Sequence, residues 1–173
     1  MIFTARAAAV TDAEAIAHIY NEGIADRIAT FETEPRTAGQ IAGWFDGRHL
    51  IVVAAEAGGA VIAFASTSPY RARECYAGIA EFSVYVARQH RGAGAGRVAM
   101  AALIEAAESA GFWKLVSRVF PENTASLALM ARMGFREVGT YRRHGKLNGK
   151  WRDCAIVERL LGDAASDGER PRA

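Results

Sequence analysis

The segment EFSVYVARQHRGAGAGRVAM, residues 81–100, joins an apolar, β-branched run to an alanine-rich run through three closely spaced glycines. Glycine loses more conformational freedom on ordering than other residues do, so three together indicate that something approaches this backbone closely. The flanking patterns predict a strand before the loop and a helix over 94–110 after it. A helix N-terminus presents unpaired amides and partial positive charge, and Arg91 and Arg97 flank the glycines, so the loop suits an anion.

The spacing of the loop distinguishes it from two other phosphate-binding motifs. A nucleoside-triphosphate P-loop requires Lys and Ser or Thr after its last glycine, and this loop has neither. A dinucleotide fingerprint requires a third glycine at position 97, where Arg97 stands. The pattern Arg91-x-x-Gly94-x-Gly96 resembles the pyrophosphate loop of acetyl-coenzyme A-dependent transferases. The alternative is a flexible connection between strand and helix.

Composition limits the class of protein. A length of 173 residues predicts one domain, over 1–161, and the 51% hydrophobic content is enough for a core. The polar composition of residues 162–173 predicts a disordered tail. The net charge of +2 indicates no strong attraction to nucleic acid or to a membrane surface, and no apolar run approaches the roughly 18 residues of a membrane span. The start lacks the pattern of a secretory signal. Cys75 and Cys154 match no metal or redox spacing and predict two free thiols in a cytoplasmic protein, with a single disulfide between them as the alternative.

Hydrophobic periodicity predicts alternating strands and helices along the chain. A helix is expected after Thr11, with Thr11 and Glu14 as its capping pair, and a shorter one after Thr37. A third short helix is expected over 122–133, and residues 30–37 are expected to form a loop. The predicted strands are 1–8, 50–56, 60–67, 79–87, 113–120, 135–144 and 151–161.

From Arg6 to about Leu161 the sequence resembles the GCN5-related N-acetyltransferase superfamily, and more narrowly the phosphinothricin and arsinothricin N-acetyltransferases. The resemblance is carried by FETEP (31–35), PYRARECY (69–76), residues 81–96, ENTASLALMARMGF (122–135) and GKWRD (149–153). It implies an α/β (α+β) fold in which helices flank a mixed, mostly antiparallel sheet of seven strands. Two central strands would splay apart to hold the pantetheine arm of the cofactor. It also implies a homodimer, for which Trp44, Phe45 and the closing strands offer apolar contacts.

Glu81 is the candidate catalytic residue. A carboxylate on an apolar strand is costly unless it has a task or a partner. By resemblance Glu81 is the proposed base that takes the proton of the acceptor amine, and the alternative is a structural ion pair with an arginine. No metal is expected. The resemblance assigns acetyl-coenzyme A to the backbone of Val84, Tyr85 and Val86, to the pyrophosphate loop of Arg91, Gly92, Ala93, Gly94, Ala95, Gly96 and Arg97, and to Asn123, which a plain helix N-cap would equally explain.

Arg71 and Arg73, beside Tyr70 and Tyr76, form a fork suited to an anionic group. The resemblance implies that this stretch, including Tyr76, binds the acidic end or carboxylate of a glutamate-like substrate and that Phe31 walls the pocket. A solvated basic turn is the alternative. Met130 stands where many members have a tyrosine acid and where phosphinothricin transferases tend to have histidine. Because methionine has no proton to give, the leaving thiolate is expected to take one from water.

The sequence therefore predicts an N-acetyltransferase that uses acetyl-coenzyme A as cosubstrate. The predicted acceptor is the α-amino group of phosphinothricin, arsinothricin or methionine sulfoximine. Two alternatives remain: acetylation of another small amine or amino acid, and a non-catalytic module that binds an acyl-coenzyme A. The intact Glu81 and the loop of residues 91–97 argue against the second.

Overall fold

A computed structural model describes residues 2–166. Their strands form one seven-stranded sheet in the order β1-β2-β3-β4-β5-β7-β6, and helices flank it. Neighbouring strands run antiparallel, except for the parallel pair β4–β5. This is the mixed, mostly antiparallel sheet that was predicted. The strands are β1 Phe3–Ala7, β2 Ile51–Glu56, β3 Val61–Pro69, β4 Ile79–Val86, β5 Lys114–Val119, β6 Arg136–Leu147 and β7 Lys150–Leu160. The helices are α1 Ala13–Asp26, α2 Ala38–Ala42, α3 Ala95–Ser109, α4 Thr124–Arg132 and α5 Asp163–Ser166.

Helices pack on both faces of the central part of the sheet, while β6 stays largely exposed. On one face α3 packs Met100 and Leu103 onto strand residues that include Ala80 and Phe82 of β4. On the other face α1 and α2 pack onto Phe64 and neighbouring residues. Trp44 and Phe45, which the sequence offered as dimer contacts, are partly buried against this second cluster. Because side chains alternate along a strand, the odd-numbered residues of β4 point towards the face of α1.

The start of α1 differs from the prediction. Asp12, not Thr11, stands at the N-cap position, at the end of a short 3₁₀ turn over Val10–Asp12, and its side chain makes no capping hydrogen bond to α1. Its carboxylate accepts hydrogen bonds from Ala9 N at 2.8 Å and from both terminal nitrogens of Arg6 at 2.7 and 2.8 Å. A carboxylate can accept all three, whereas a hydroxyl cannot form an ion pair, so aspartate is the better partner. The cap predicted at Thr37 is observed, with Thr37 Oγ1 accepting from Gln40 N at 3.2 Å.

The end of the described chain also differs from the prediction. The sequence predicts disorder over 162–173, but Asp163–Ser166 form the short helix α5, and Gly162 N donates to Glu108 Oε1 at 2.9 Å. Residues 167–173 lie outside the described range. Over residues 2–166, no helix combines the length and the apolar character that crossing a membrane requires. Within the same range, no cluster of three His, Cys, Asp or Glu side chains could hold a metal ion.

Candidate active site

The two parallel strands at the centre of the sheet separate after a short paired stretch. Strands β4 and β5 pair only from Ile79 and Lys114 to Glu81 and Val116. Beyond that point β4 follows β3 and β5 follows β7, so their facing edges diverge, as the predicted splay requires. Ser117 Oγ donates to the carbonyl oxygen of Phe82 at 2.9 Å at the narrow end. We call the opening the central cleft; it is lined by Ala29, Phe82, Ser83, Val84, Tyr85, Ser117, Arg118, Val119, Phe120, Asn123, Ser126 and Met130.

The open edge of β4 offers backbone groups to a ligand. Successive residues of a strand direct their N–H and C=O groups to opposite edges. Since the Phe82 carbonyl faces Ser117 across the cleft, Val84 and Val86 face the same way. Val86 O accepts from Arg91 Nε at 3.2 Å. The Val84 groups are therefore positioned to pair with an extended, amide-bearing ligand, as a neighbouring strand would.

Tyr85 contributes its side chain rather than its backbone to the cleft. Its ring stacks on Phe64, with the ring centroids 5.4 Å apart, and meets the Tyr20 ring edge to face at 5.0 Å. Burial raises the pKa of the Tyr85 phenol, so this group stays neutral. Tyr85 therefore forms a rigid, uncharged wall on the α1 side of the cleft.

The three glycines of the loop have two different roles. Gly92 and Gly94 have φ values of +77° and +96°, and a Cβ at either would meet no atom within 4 Å. Their backbone conformation therefore requires glycine. At Gly96 a Cβ would lie 3.1 Å from Val86 Cγ2 and 3.3 Å from Leu129 Cδ2, so this glycine lets α3 pack closely on β4 and α4. Together they place the first amides of α3 at the open end of β4.

The arginines around the loop differ in whether their charge is already paired with a carboxylate. Arg91 Nη1 lies 2.6 Å from Asp26 Oδ2, and Arg88 Nη2 donates to Asp26 Oδ1 at 2.7 Å. These hydrogen bonds, with that of Arg88 the larger influence, lower the pKa of Asp26. The charge of Arg91 is thus shared with the end of α1. Arg97 is exposed on the first turn of α3, and Ala93 is exposed in the loop while Ala95 is buried.

Glu81 forms an ion pair at the narrow end of the central cleft. Arg118 Nη2 lies 3.0 and 2.9 Å from the two carboxylate oxygens of Glu81. Arg118 stands two residues beyond Val116, the strand partner of Glu81, so both side chains point towards the α1 face. Their side chains are 48% and 26% exposed, respectively. The pairing considered from sequence therefore exists, and the carboxylate remains within reach of a ligand.

Phe31 reaches the wall of the cleft from the loop after α1. Its ring meets that of Phe120 edge to face, with centroids 4.8 Å apart, and Phe120 lines the cleft. On its other side Phe31 lies against Gly145 of β6, where a Cβ would stand 2.8 Å from two ring atoms. The absence of a side chain at Gly145 therefore sets the position of Phe31.

Arg71, Arg73 and Tyr76 lie on the loop between β3 and β4, outside the lining of the central cleft. This loop leaves β3 one residue after Ser68, the strand partner of Glu81. The guanidinium of Arg71 lies 5.3 Å from the centre of the Tyr70 ring, and that of Arg73 lies 5.8 Å from the centre of the Tyr76 ring. Both arginines are exposed. They form a basic, aromatic surface beside the end of β4 that holds Glu81.

Helix α4 closes the other side of the cleft. Asn123 Oδ1 accepts from Ser126 N at 3.2 Å, so Asn123 is the N-cap and also lines the cleft. Met130 is only 1% exposed and lines the cleft with no group that can give a proton. Sequence reasoning missed Ser117, Arg118 and Phe120. All three stand on or beside β5, and the only local signal was a polar pair between valines.

Comparison with known proteins agrees with this geometry. Residues 15–135 match the model of the Acetyltransferase (GNAT) family. The phosphinothricin N-acetyltransferase of Streptomyces coelicolor is 35% identical over 156 residues, which cover 87% of this chain and 91% of that one. The L-methionine sulfoximine/L-methionine sulfone acetyltransferase of Pseudomonas paraeruginosa is 33% identical over 165 residues, 93% and 96% of the two chains. A GNAT superfamily phosphinothricin acetyltransferase from Sinorhizobium meliloti, solved in complex with AcCoA, superimposes with a TM-score of 0.88 at 30% identity, covering 99% of this chain and 94% of that one.

Proposed function

We propose that the acceptor of this protein is the α-amino group of a glutamate-like amino acid. The chain belongs to the GNAT acetyltransferase family and is an acetyl-coenzyme A-dependent N-acetyltransferase. The proposed acceptors are phosphinothricin, arsinothricin and methionine sulfoximine. Acetylation of these compounds would make the cell resistant to them. The observation that carries the proposal is the accessible Glu81 carboxylate at the narrow end of the central cleft, beside the open edge of β4. The activities named for the Streptomyces and Pseudomonas relatives support the acceptor class.

The splayed strands and the glycine loop fit acetyl-coenzyme A, which supplies the acetyl group as a thioester. In the proposal the backbone of Val84 and Val86 pairs with the pantetheine arm, and Asn123 contacts it from the other side. Residues 91–97 hold the pyrophosphate at the first turn of α3, where backbone amides and the helix dipole favour an anion. Arg97 adds an exposed positive charge, and Arg91 would do so by exchanging Asp26 for a phosphate.

Glu81 acts in the proposal as the general base. An α-amino group is mostly protonated at neutral pH and cannot attack a carbonyl until it loses a proton. Glu81 accepts that proton directly or through water, and the neutral amine nitrogen bonds to the acetyl carbon. The nitrogen then gives up its second proton to water as the amide forms, and the carbon–sulfur bond breaks. The Val84 amide faces the cleft where it can donate to the thioester oxygen. Met130 offers no proton, so water protonates the departing thiolate.

The loop between β3 and β4 supplies the proposed acceptor specificity. Arg71 and Arg73 each lie over a tyrosine, which limits their motion, and the loop begins beside Glu81. Two guanidinium groups held in this way suit the oxyanion of a phosphinate or an arsinate at the far end of the substrate, and they can also donate to the oxygen of a sulfoximine. Phe31 and Tyr76 would pack against its methylene groups.

A thiol-release assay with acetyl-coenzyme A across a panel of acceptors tests the proposal. The panel contains phosphinothricin, methionine sulfoximine, glutamate, leucine and a simple primary amine. We expect the highest kcat/KM with phosphinothricin or methionine sulfoximine. Faster turnover of leucine or the simple amine would refute the acidic acceptor. Binding of acetyl-coenzyme A in calorimetry with no thiol release from any acceptor would indicate the non-catalytic module instead.

We also propose that the protein is a cytoplasmic homodimer. Cys75 and Cys154 are both free thiols, which is compatible with a reducing compartment. The closing strands β6 and β7 leave Val138, Tyr141 and Trp151 exposed, and large exposed apolar groups are typical of contact surfaces. Light scattering should give a mass of about two chains, and a single species near 18.6 kDa would refute the dimer.

A further inference from the structure

Arg118 is the one charged side chain among the described residues that line the central cleft. It binds both oxygens of Glu81, and nothing in the acceptor chemistry above assigns it a task beyond that. We infer that Arg118 is the receptor for the α-carboxylate of the acceptor and thereby selects amino acids over simple amines. This inference rests on the proposed function, because it takes Glu81 as the base and an amino acid as the acceptor.

The geometry of an amino acid requires a cation close to the base. The α-amino nitrogen and the α-carboxylate share one carbon atom, so the nitrogen and the nearer oxygen lie roughly 3 Å apart. A general base must lie within about 2.6–3.2 Å of the group that it deprotonates, directly or through one water. Any receptor for the α-carboxylate therefore lies within roughly 9 Å of Glu81 when the proton transfer is direct, since at most three contacts of about 3 Å separate the two. Arg118 Nη2, 2.9 and 3.0 Å from the Glu81 oxygens, meets this requirement.

The contacts with Glu81 leave several hydrogen-bond donors of the Arg118 guanidinium unused. It carries five N–H groups in one plane, and its contacts with Glu81 use Nη2 alone. Each two-donor edge of the guanidinium includes Nη2, so a second carboxylate binds either to Nε or Nη1 alone or to an edge that it takes over in part from Glu81, the bidentate geometry in which arginine is most selective. Arg118 is about half exposed, and an ion pair in that environment is weak, so an incoming carboxylate can take part of it from Glu81.

Binding of the acceptor would then make the base available. With Arg118 alone as partner, both carboxylate oxygens of Glu81 are engaged by one nitrogen. When the α-carboxylate draws the guanidinium towards itself, one Glu81 oxygen becomes free to accept the proton of the adjacent ammonium group. Arg71 and Arg73, on the separate loop between β3 and β4, would bind only the far end of the substrate. The two ends of the acceptor are thus recognised by two different arginine sites.

Two acceptors that differ only in the α-carboxylate test this inference. One is phosphinothricin, and the other is its decarboxylated analogue, a primary amine that keeps the methylphosphinate end. In Arg118→Gln we expect KM for phosphinothricin to rise about 10- to 100-fold, the loss typical of a charge-assisted hydrogen bond. KM for the amine and for acetyl-coenzyme A should change less than about threefold. Arg118→Lys should restore part of the loss, because lysine keeps the charge and loses the planar fork.

Controls separate recognition from structure. The ratio of kcat/KM for the two acceptors within one preparation cancels any inactive fraction of a poorly folded variant. Arg136→Gln breaks another arginine–carboxylate pair, with Glu158 at 2.6 Å, and should leave that ratio unchanged. An equal loss on both acceptors in Arg118→Gln would mean that Arg118 only positions Glu81, and would overturn the inference alone. Wild-type enzyme that acetylates the amine and no amino acid would overturn both the proposed function and the inference.

Discussion

Replacing Glu81 by glutamine separates catalysis from structure, because the two roles predict effects of very different size. Glutamine keeps the shape of the side chain and its carbonyl oxygen can still accept from Arg118. The ion pair lost is 26% and 48% exposed, and pairs of that kind contribute about 0–1 kcal/mol, which would lower the melting temperature by only a few degrees. Loss of a general base instead lowers turnover by about 10²–10⁴-fold. A near-normal melting curve with a large loss of kcat is therefore the expected result.

The pH dependence of the Glu81→Gln variant makes the test specific. Without the base, only acceptor molecules whose amine is already neutral can react, so turnover should rise by about tenfold per pH unit below the pKa of the amine. Thiol release is measured from about pH 6 to about pH 10 at saturating acetyl-coenzyme A. Glu158→Gln removes another ion-paired carboxylate from the same face of the sheet and should show no such rise. Wild-type turnover of Glu81→Gln at pH 7 would show that this carboxylate has only a structural role.

Three further substitutions test the cofactor loop, the acceptor loop and the fold. Gly94→Asp should abolish acetyl-coenzyme A binding in calorimetry, while Gly47→Asp, at another glycine of positive φ in open space, controls for backbone strain; unchanged affinity of the former would remove the loop from the site. Arg73→Ala should lower kcat/KM for phosphinothricin about 10- to 200-fold and spare a neutral amine, and equal losses would mean that Arg73 only shapes its loop. Asp12→Asn should lower the free energy of unfolding in urea by about 1.5–3 kcal/mol at pH 7, because the hydrogen bonds from Arg6 lower the pKa of Asp12 in the folded state. A lowered pKa stabilises the fold above the unfolded value of about 3.9 and is lost as pH falls through the folded value, so the difference from wild type should close below about pH 4, and a constant difference would contradict this cause.

The parts of the fold that depend on local sequence were predictable. Apolar alternation and turn residues gave the strands in order, and the glycine loop fell between β4 and α3 because both neighbours have clear periods. The roles of the individual glycines were not predictable, since Gly96 is required by a contact with Val86 and Leu129 that only packing creates. The predicted cap of α1 was wrong because a 3₁₀ turn over Val10–Asp12 precedes the helix, and the carboxylate of Asp12 binds backward to Ala9 N and to Arg6, on a different element.

Contacts between distant segments account for what the sequence missed in the site. Arg118 and Glu81 are 37 residues apart and meet only because β5 lies parallel to β4. Hydrophobic periodicity predicts that both strands exist but not that they are neighbours. The contact of Phe31 with Gly145 depends in the same way on where a loop crosses the closing hairpin. The resemblance supplied a role for Glu81, and the structure supplies the arginine beside it.

Because Met130 has no acidic proton, the proton transfer for which the proposal needs a protein group is the one from the acceptor amine to Glu81. A thiol has a pKa near 8.5 and an α-amino group one near 8 or above, so the thiolate is a fair leaving group at neutral pH, while the ammonium cannot react at all until it loses a proton. Proton removal is then the step for which the protein must provide a group, and proton return to sulfur can be left to water. Met130 is buried, and the hydroxyl groups of Ser117 and Ser126 line the same cleft. An accessible carboxylate held by an arginine at one end, and an apolar thioether at the other, is the distribution of groups that suits this difference between the two proton transfers.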